Sequence, residues 1–293
     1  MKLAKTVLVL GISGMLGSQV FKSLNSDNRY IAYGTLRKPG DMRFFAEESL
    51  ARVTTGFDAL DQNSLVRLLD RIRPDVVVNC IGLVKQLSSS KDPLLALPIN
   101  SMLPHRLAGL CSLLGARFIH ISTDCVFSGE KGAYIEADES DAKDLYGKSK
   151  YIGELHDVAN SVTLRTSIIG HELASGRSLI DWFLAQSGEV SGYGKAIFSG
   201  LPTVELARVI KDFVIPKIDL RGLFHVSADP IDKYSLLSMV AEIYDKDIEI
   251  KYDDSVRIDR SLDSIRFRQA TGYSPPSWRV LVEQMLESRD IKS

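Results

Sequence analysis

Three features of the 293-residue sequence predict an α/β protein, a doubly wound parallel sheet with a smaller α/β lobe towards the C-terminus. Short apolar runs recur at 6–10, 75–82 and 117–121, each suited to a strand buried on both faces of a parallel sheet. Amphipathic stretches separate these runs, which is the alternation of βαβ units. The first run passes directly into Gly11-Ile12-Ser13-Gly14-Met15-Leu16-Gly17 and then an amphipathic stretch to about Leu24. Strand, glycine turn, helix is the order of a Rossmann-type unit, in which phosphates approach the backbone closely and sit at the helix N-terminus. The spacing here is GxxGxxG rather than GxGxxG.

The composition narrows the function. With 45% hydrophobic residues the chain can bury a substantial core. A net charge of −1 carries no basic excess for nucleic acid and no charged tail for an acidic or basic partner. Cys80, Cys111 and Cys125 have no paired spacing, and the five histidines are scattered, so neither disulfides nor a metal site is expected. The apolar run near the N-terminus is short, ends in glycines and has no small-residue cleavage site. With no segment long enough to span a bilayer, the sequence reads as a cytoplasmic protein without a membrane partner.

Taken in order, a second strand at 30–35 leads to Leu36-Arg37-Lys38. An acidic residue about twenty positions past the glycines would hold the ribose 2′-hydroxyl of NAD, whereas a cation suits the 2′-phosphate of NADP. Arg37 and Lys38 therefore favour NADP, with NAD the alternative. A short helix at 42–50 and a strand at 51–54 follow, then a helix capped within 58–61 and stopped before Pro74. The strand at 75–82 precedes a helical stretch from 94 to 115, expected to break locally at Pro98 and Pro104. The strand at 117–121 delivers Ser122, Thr123 and Asp124 at its C-terminal end, where ligands bind in open α/β sheets. After a polar loop at 128–144, a helix carries Tyr146 and Lys150 one turn apart on one face. A phenol beside an ammonium ion is an acid suited to protonating a carbonyl oxygen, because the cation favours phenolate. A strand at 161–165 closes the regular pattern. Beyond Gly170, helices are expected at 179–186, 204–215, 233–244, 262–270 and 278–287, with short strands at 223–226 and 248–250. Residues 1–170 thus form the dinucleotide-binding domain and 171–293 mainly the substrate lobe, with some segments free to return to the core.

Glycine turn, Asn79 in the fourth strand, Ser122-Thr123 after the fifth and Tyr146-x-x-x-Lys150 stand in one order that resembles the extended short-chain dehydrogenase/reductase family. The runs Ile121-Ser122-Thr123-Asp124-Cys125-Val126-Phe127-Ser128-Gly129, Tyr146-Gly147-Lys148-Ser149-Lys150, Leu164-Arg165-Thr166-Ser167 and Arg260-Ser261-Leu262-Asp263 are similar to those of dTDP-4-dehydrorhamnose reductases. The resemblance implies NADPH-dependent reduction of a nucleotide-linked 4-keto-6-deoxy sugar for polysaccharide precursors. Gly11, Gly14 and Gly17 would hold the pyrophosphate, with Ile12 and Met15 lining that loop, and Arg37 and Lys38 would meet the 2′-phosphate. Asp58 and Ala59 would sit at the adenine, with Cys80, Ile81 and Gly82 on the nicotinamide side and Ser122 also binding the cofactor. Thr123 would hydrogen-bond the ketone and Tyr146 protonate it. Lys150 would hold the nicotinamide ribose and lower the Tyr146 pKa. Lys85, Thr123, Asp124, Cys125 and Ile168 would line the sugar.

Cys125 and Ile168 stand where those reductases usually have Tyr and Trp, which opens the way to another sugar, such as a UDP-linked 2-acetamido-2,6-dideoxy-4-ketohexose. GDP-fucose synthases resemble the chain in having Cys at this place with a His partner, for which His171 is the nearest candidate in poor register. His120, within a strand, reads as a core residue. A non-catalytic NADP-binding regulatory subunit is the reading from another class. Relatives are often dimers, which leaves a homodimer open.

Overall fold

The structure, a computed structural model, describes residues 4–84, 88–174 and 176–289. Its centre is a seven-stranded parallel sheet. In chain order the first six strands are β1 (Lys5–Leu10), β2 (Tyr30–Thr35), β3 (Val53–Thr54), β4 (Val76–Asn79), β5 (Arg117–Thr123) and β6 (Ser161–Thr166). The seventh is Gly222–His225, and the spatial order is Gly222–His225, β6, β5, β4, β1, β2, β3. The winding reverses between β1 and β4, which opens a crevice above their carboxyl ends where ligands bind in such sheets.

The apolar run of β1 explains the two-sided burial. Val7 and Val9 face a core shared with Leu16, Val20, Phe21 and Leu24 of the Met15–Asn25 helix. Leu8 and Leu10 face the opposite core, with Leu65, Leu68 and Leu69 of the Gln62–Ile72 helix and Leu103 and Leu107 of the Leu103–Leu114 helix. Each such side chain, fully buried, contributes ~1.5–3 kcal/mol. Asp61 caps the Gln62–Ile72 helix by accepting from the Asn63 N–H at 3.0 Å.

Two expectations from the sequence change. Pro98 and Pro104 do not break the helical stretch. The chain runs from Pro93–Ala96 through a π-helical Leu97–Met102 into Leu103–Leu114, and the wider turns accommodate residues that lack an N–H. The strand expected at 223–226 does not lie in the lobe: Gly222–His225 pairs with β6 at the sheet edge. Leu206, Val209, Ile210 and Val214 also pack in the core of the Met15–Asn25 helix, so this part of the chain returns to the sheet after the lobe begins.

The lobe has its own core of Ile180, Phe183, Val190, Phe198, Leu236, Val240 and Val282, among others. Strands Ile231–Asp232 and Ile258–Asp259 flank Ala196–Phe198, and Glu189–Tyr193 pairs with Glu249–Asp253. Among the described residues, no helix is long and apolar enough to cross a membrane. Cys80, Cys111 and Cys125 form no disulfide.

Candidate active site

The glycine turn sits at the reversal of the sheet. Gly11 has φ +83°, and a Cβ on Gly17 would lie 2.2 Å from the Gly11 carbonyl oxygen, so helix and turn touch only because both residues are glycine. Gly14 is the N-cap of the Met15–Asn25 helix, and no side chain caps it. The first-turn amides are therefore left for an anionic group, which is what the pyrophosphate of a dinucleotide requires. Met15 lies half-buried at the start of that turn. Ile12 lies within the loop with its side chain fully buried beneath Gly34 and its N–H bonded to the Thr35 carbonyl. Arg37 and Lys38 stand exposed past β2 and make no ion pair among the described residues. Asp58 is exposed and folds back on the Leu60 N–H at 2.9 Å, with Ala59 half-buried beside it.

Beyond β4, Asn79 accepts from the Ile81 N–H at 3.1 Å and shapes the turn carrying Cys80, Ile81 and Gly82. Burial pushes the Cys80 thiol up to about 12, keeping it protonated. Asn100, buried in the π-helical segment, joins this turn to the Tyr146 helix. Its Oδ1 accepts from Leu83 N–H at 2.9 Å, and its amide donates to Ser149 Oγ at 3.1 Å. The sequence gives no local signal for Asn100, because the two prolines obscure the helix that presents it.

The end of β5 brings the expected chemistry together. Thr123 Oγ1 accepts from the Cys125 N–H and donates to Asp124 Oδ1, both at 3.1 Å. Asp144 caps the Leu145–Ile152 helix through the Gly147 N–H at 2.8 Å. A Cβ on Gly147 would lie 2.2 Å from the Cys125 carbonyl oxygen, and this close approach sets Tyr146 against Thr123. Lys150 Nζ donates to the Ile121 carbonyl at 2.7 Å, and a Cβ on Gly82 would lie 3.9 Å from it. Burial brings the Lys150 pKa down to about 8, against the pull of Glu154 and Cys80.

The expected lowering of the Tyr146 pKa is not seen. Burial pushes it well up, the neighbouring Cys125, Asp124 and Asp144 push the same way, and Thr123 alone draws it down. The Lys150 ammonium is aimed at a strand carbonyl and its own charge is weakened by desolvation, so it does not offset the burial of the phenol. Burial likewise raises the Asp124 pKa, opposed first by Arg260.

Ser122, a neighbour of Thr123 on β5, donates its hydroxyl to Glu154 Oε1 at 2.6 Å. Glu154 forms a fully buried bidentate pair with Arg165 at 2.8 and 2.7 Å. Arg165 lies 3.3 Å from His225 Nε2 and over the Phe127 ring. Burial and Arg165 lower the His225 pKa to about 4, so the neutral ring donates through Nδ1 to the Tyr134 carbonyl at 3.0 Å.

Cys125 is half-buried beside this centre, and Ile168 is half-buried against the main core, one residue beyond Ser167, which bonds Asp124. Lys85 lies outside the described residues. His171 is not free for Cys125: its nitrogens lie 2.7 Å from Asp181 Oδ1 and 2.9 Å from Tyr244 Oη. His120 is buried in the core, 3.3 Å from the Asn79 amide. No group of His, Cys, Asp and Glu among the described residues could hold a metal ion.

A parallel sheet with a glycine turn at its reversal and Thr123, Tyr146 and Lys150 above the next strands defines the extended short-chain dehydrogenase/reductase class. Within it, residues 5–290 match the RmlD substrate binding domain model, and the chain belongs to that family. It is 29% identical to the spore coat polysaccharide biosynthesis protein SpsK of Bacillus subtilis, over 97% of each chain. It is also 29% identical to methionine adenosyltransferase 2 subunit beta of Danio rerio, over 82% of this chain and 74% of that one. Among solved structures, dTDP-4-dehydrorhamnose reductase from Bacillus anthracis in complex with NADP superposes with a TM-score of 0.79. That match has 22% identity and covers 98% of this chain and 100% of that one, a likeness of fold.

Proposed function

We propose that this protein is an NADPH-dependent reductase of a nucleotide-linked 4-keto-6-deoxy sugar, working in the cytoplasm on a precursor of cell-surface polysaccharide. The observation that carries the reading is the convergence of Thr123, Tyr146 and Lys150 beside a helix N-terminus left free for a pyrophosphate. The bound cofactor would supply a hydride to C4 of the sugar. Thr123 Oγ1 would orient the ketone oxygen, and the Tyr146 phenol would give it a proton. The high pKa of the buried phenol keeps that proton in place until negative charge develops on the oxygen beside it. Lys150 would hold the nicotinamide ribose, with Gly11, Gly14 and Gly17 at the pyrophosphate and Arg37 and Lys38 at the 2′-phosphate. The lobe would close the sugar end of the cleft, with Cys125 and Ile168 among its lining.

The test supplies dTDP- and UDP-linked 4-keto-6-deoxyglucose, each with NADPH, and follows NADPH consumption and the alcohol product. Turnover of either supports the reading and names the nucleotide. Cofactor binding without turnover of either one would favour a non-catalytic subunit, the reading to which the methionine adenosyltransferase subunit lends weight. An epimerising reaction of the GDP-fucose synthase kind has less support, because His171 is held by Asp181 and Tyr244.

A further inference from the structure

The sequence pattern singled out neither Lys233 nor Arg260 as a binding residue, yet the lobe brings both towards Asp124 at the end of β5. Ala196–Phe198 is the middle strand of three, and Ile197 lies level with Asp232 on one side and Asp259 on the other. Each flanking strand ends at its aspartate, and the next residue is a cation. Neither aspartate neutralises its neighbour. Asp232 is turned to cap the Lys233–Ile243 helix, accepting from the Ser235 N–H at 2.8 Å and the Ser235 hydroxyl at 2.7 Å. Asp259 accepts from the Ser261 N–H at 2.9 Å.

Arg260 donates through Nε to the Phe127 carbonyl at 2.8 Å, which fixes its guanidinium against the loop that leaves Thr123. Its charge reaches the buried Asp124. Lys233 is half-buried, its charge reaches Asp124 and Cys125, and it makes no hydrogen bond or ion pair with any described residue. Two cations thus share one carboxylate, Asp124, which already accepts from Thr123. A partly desolvated ammonium ion that shares its one carboxylate with a second cation is left under-compensated, and a ligand oxyanion placed there would relieve it.

We propose that Lys233, with Arg260 beside it, is a specificity-determining residue that takes an oxyanion of the bound substrate. The inference rests on the nucleotide-sugar reading above. The oxyanion comes either from the diphosphate linking sugar to nucleoside or from a carboxylate on the sugar ring.

Calorimetric titration of the full chain with NADP present tests this, using UDP, dTDP, UDP-glucose and UDP-glucuronate. The proteins compared are the native chain, Lys233→Met and Lys233→Arg. Lys233→Met is expected to weaken an oxyanion-bearing probe about tenfold or more, with Lys233→Arg close to native and NADP binding equal in all three. Uniform weakening of all four probes identifies the diphosphate. Loss of a preference for UDP-glucuronate over UDP-glucose, with UDP unchanged, identifies a carboxylate. Lys233→Met binding every probe as the native chain does would overturn the proposal and leave the nucleotide-sugar reading standing. A native chain that binds NADP but none of the four probes would remove that reading, and this inference with it.

Discussion

The two halves of the molecule handle buried charge in opposite ways. Under the sheet, Glu154 is met by Ser122 and by both arms of Arg165, which in turn meets His225, and His225 ends on a backbone carbonyl. In the lobe, Lys233 reaches the site with no such closure. A closed network holds a shape, because removing any member strands another in low dielectric. An open cation leaves part of its interaction to whatever enters the cleft. The first half is accordingly expected to fix the positions of Thr123 and Tyr146, and the second to select among ligands.

This contrast can be broken at several points. The largest effect should come from Tyr146→Phe, which removes the proton donor but no member of the buried network. Turnover of a 4-keto-sugar is expected to fall by about 10²–10⁴-fold, while NADP affinity by calorimetry and thermal unfolding stay near native. Glu154→Ala acts on the network itself and strands Arg165. A loss of ~3–5 kcal/mol in denaturant unfolding is expected, with turnover reduced in whatever protein remains folded. An unchanged midpoint would mean that the pair does not hold the sheet.

The third test is pH. Lys150 titrates near 10.5 when unfolded and about 8 in the native protein. Between those values the unfolded chain binds the proton that the native state has released. The contribution of Lys150 to stability therefore rises with pH across that window. Activity should move the other way. If the ammonium form is the one that holds the ribose, kcat/KM falls above about pH 8, and Lys150→Met removes that limb of the profile along with most activity. The smallest effect is the control: the exposed Lys143–Glu130 pair, truncated by Glu130→Ala, should leave unfolding and turnover unchanged.

What the sequence reveals divides along the same line. The glycine turn, the end of β5 and the Tyr146 helix are each written in a handful of consecutive residues, so order along the chain carries both sheet and catalytic centre. Lys233 and Arg260 come to neighbouring places because two-residue strands flank Ala196–Phe198, and strands that short leave no alternation to read. The edge strand Gly222–His225 returns to the sheet after the lobe has begun, a matter of long-range pairing that local pattern does not encode. The Tyr146 pKa follows from burial and from where the Lys150 ammonium points, and the one-turn spacing of the two residues specifies neither.

The π-helical Leu97–Met102 segment acts as a phase shifter. A π-helical turn takes up one residue more than an α-helical turn, in which each residue turns the chain by about 100°, so forcing these same residues into an unbroken α-helix would rotate everything beyond it by about that angle. Leu103, Leu107 and Cys111 would swing off the core they now share with Phe118. Asn100 would lose either Leu83 or Ser149. In this helix the wide turn is itself under structural constraint, and losing it with the residue count unchanged would uncouple the cofactor side of the cleft from the helix that carries the acid.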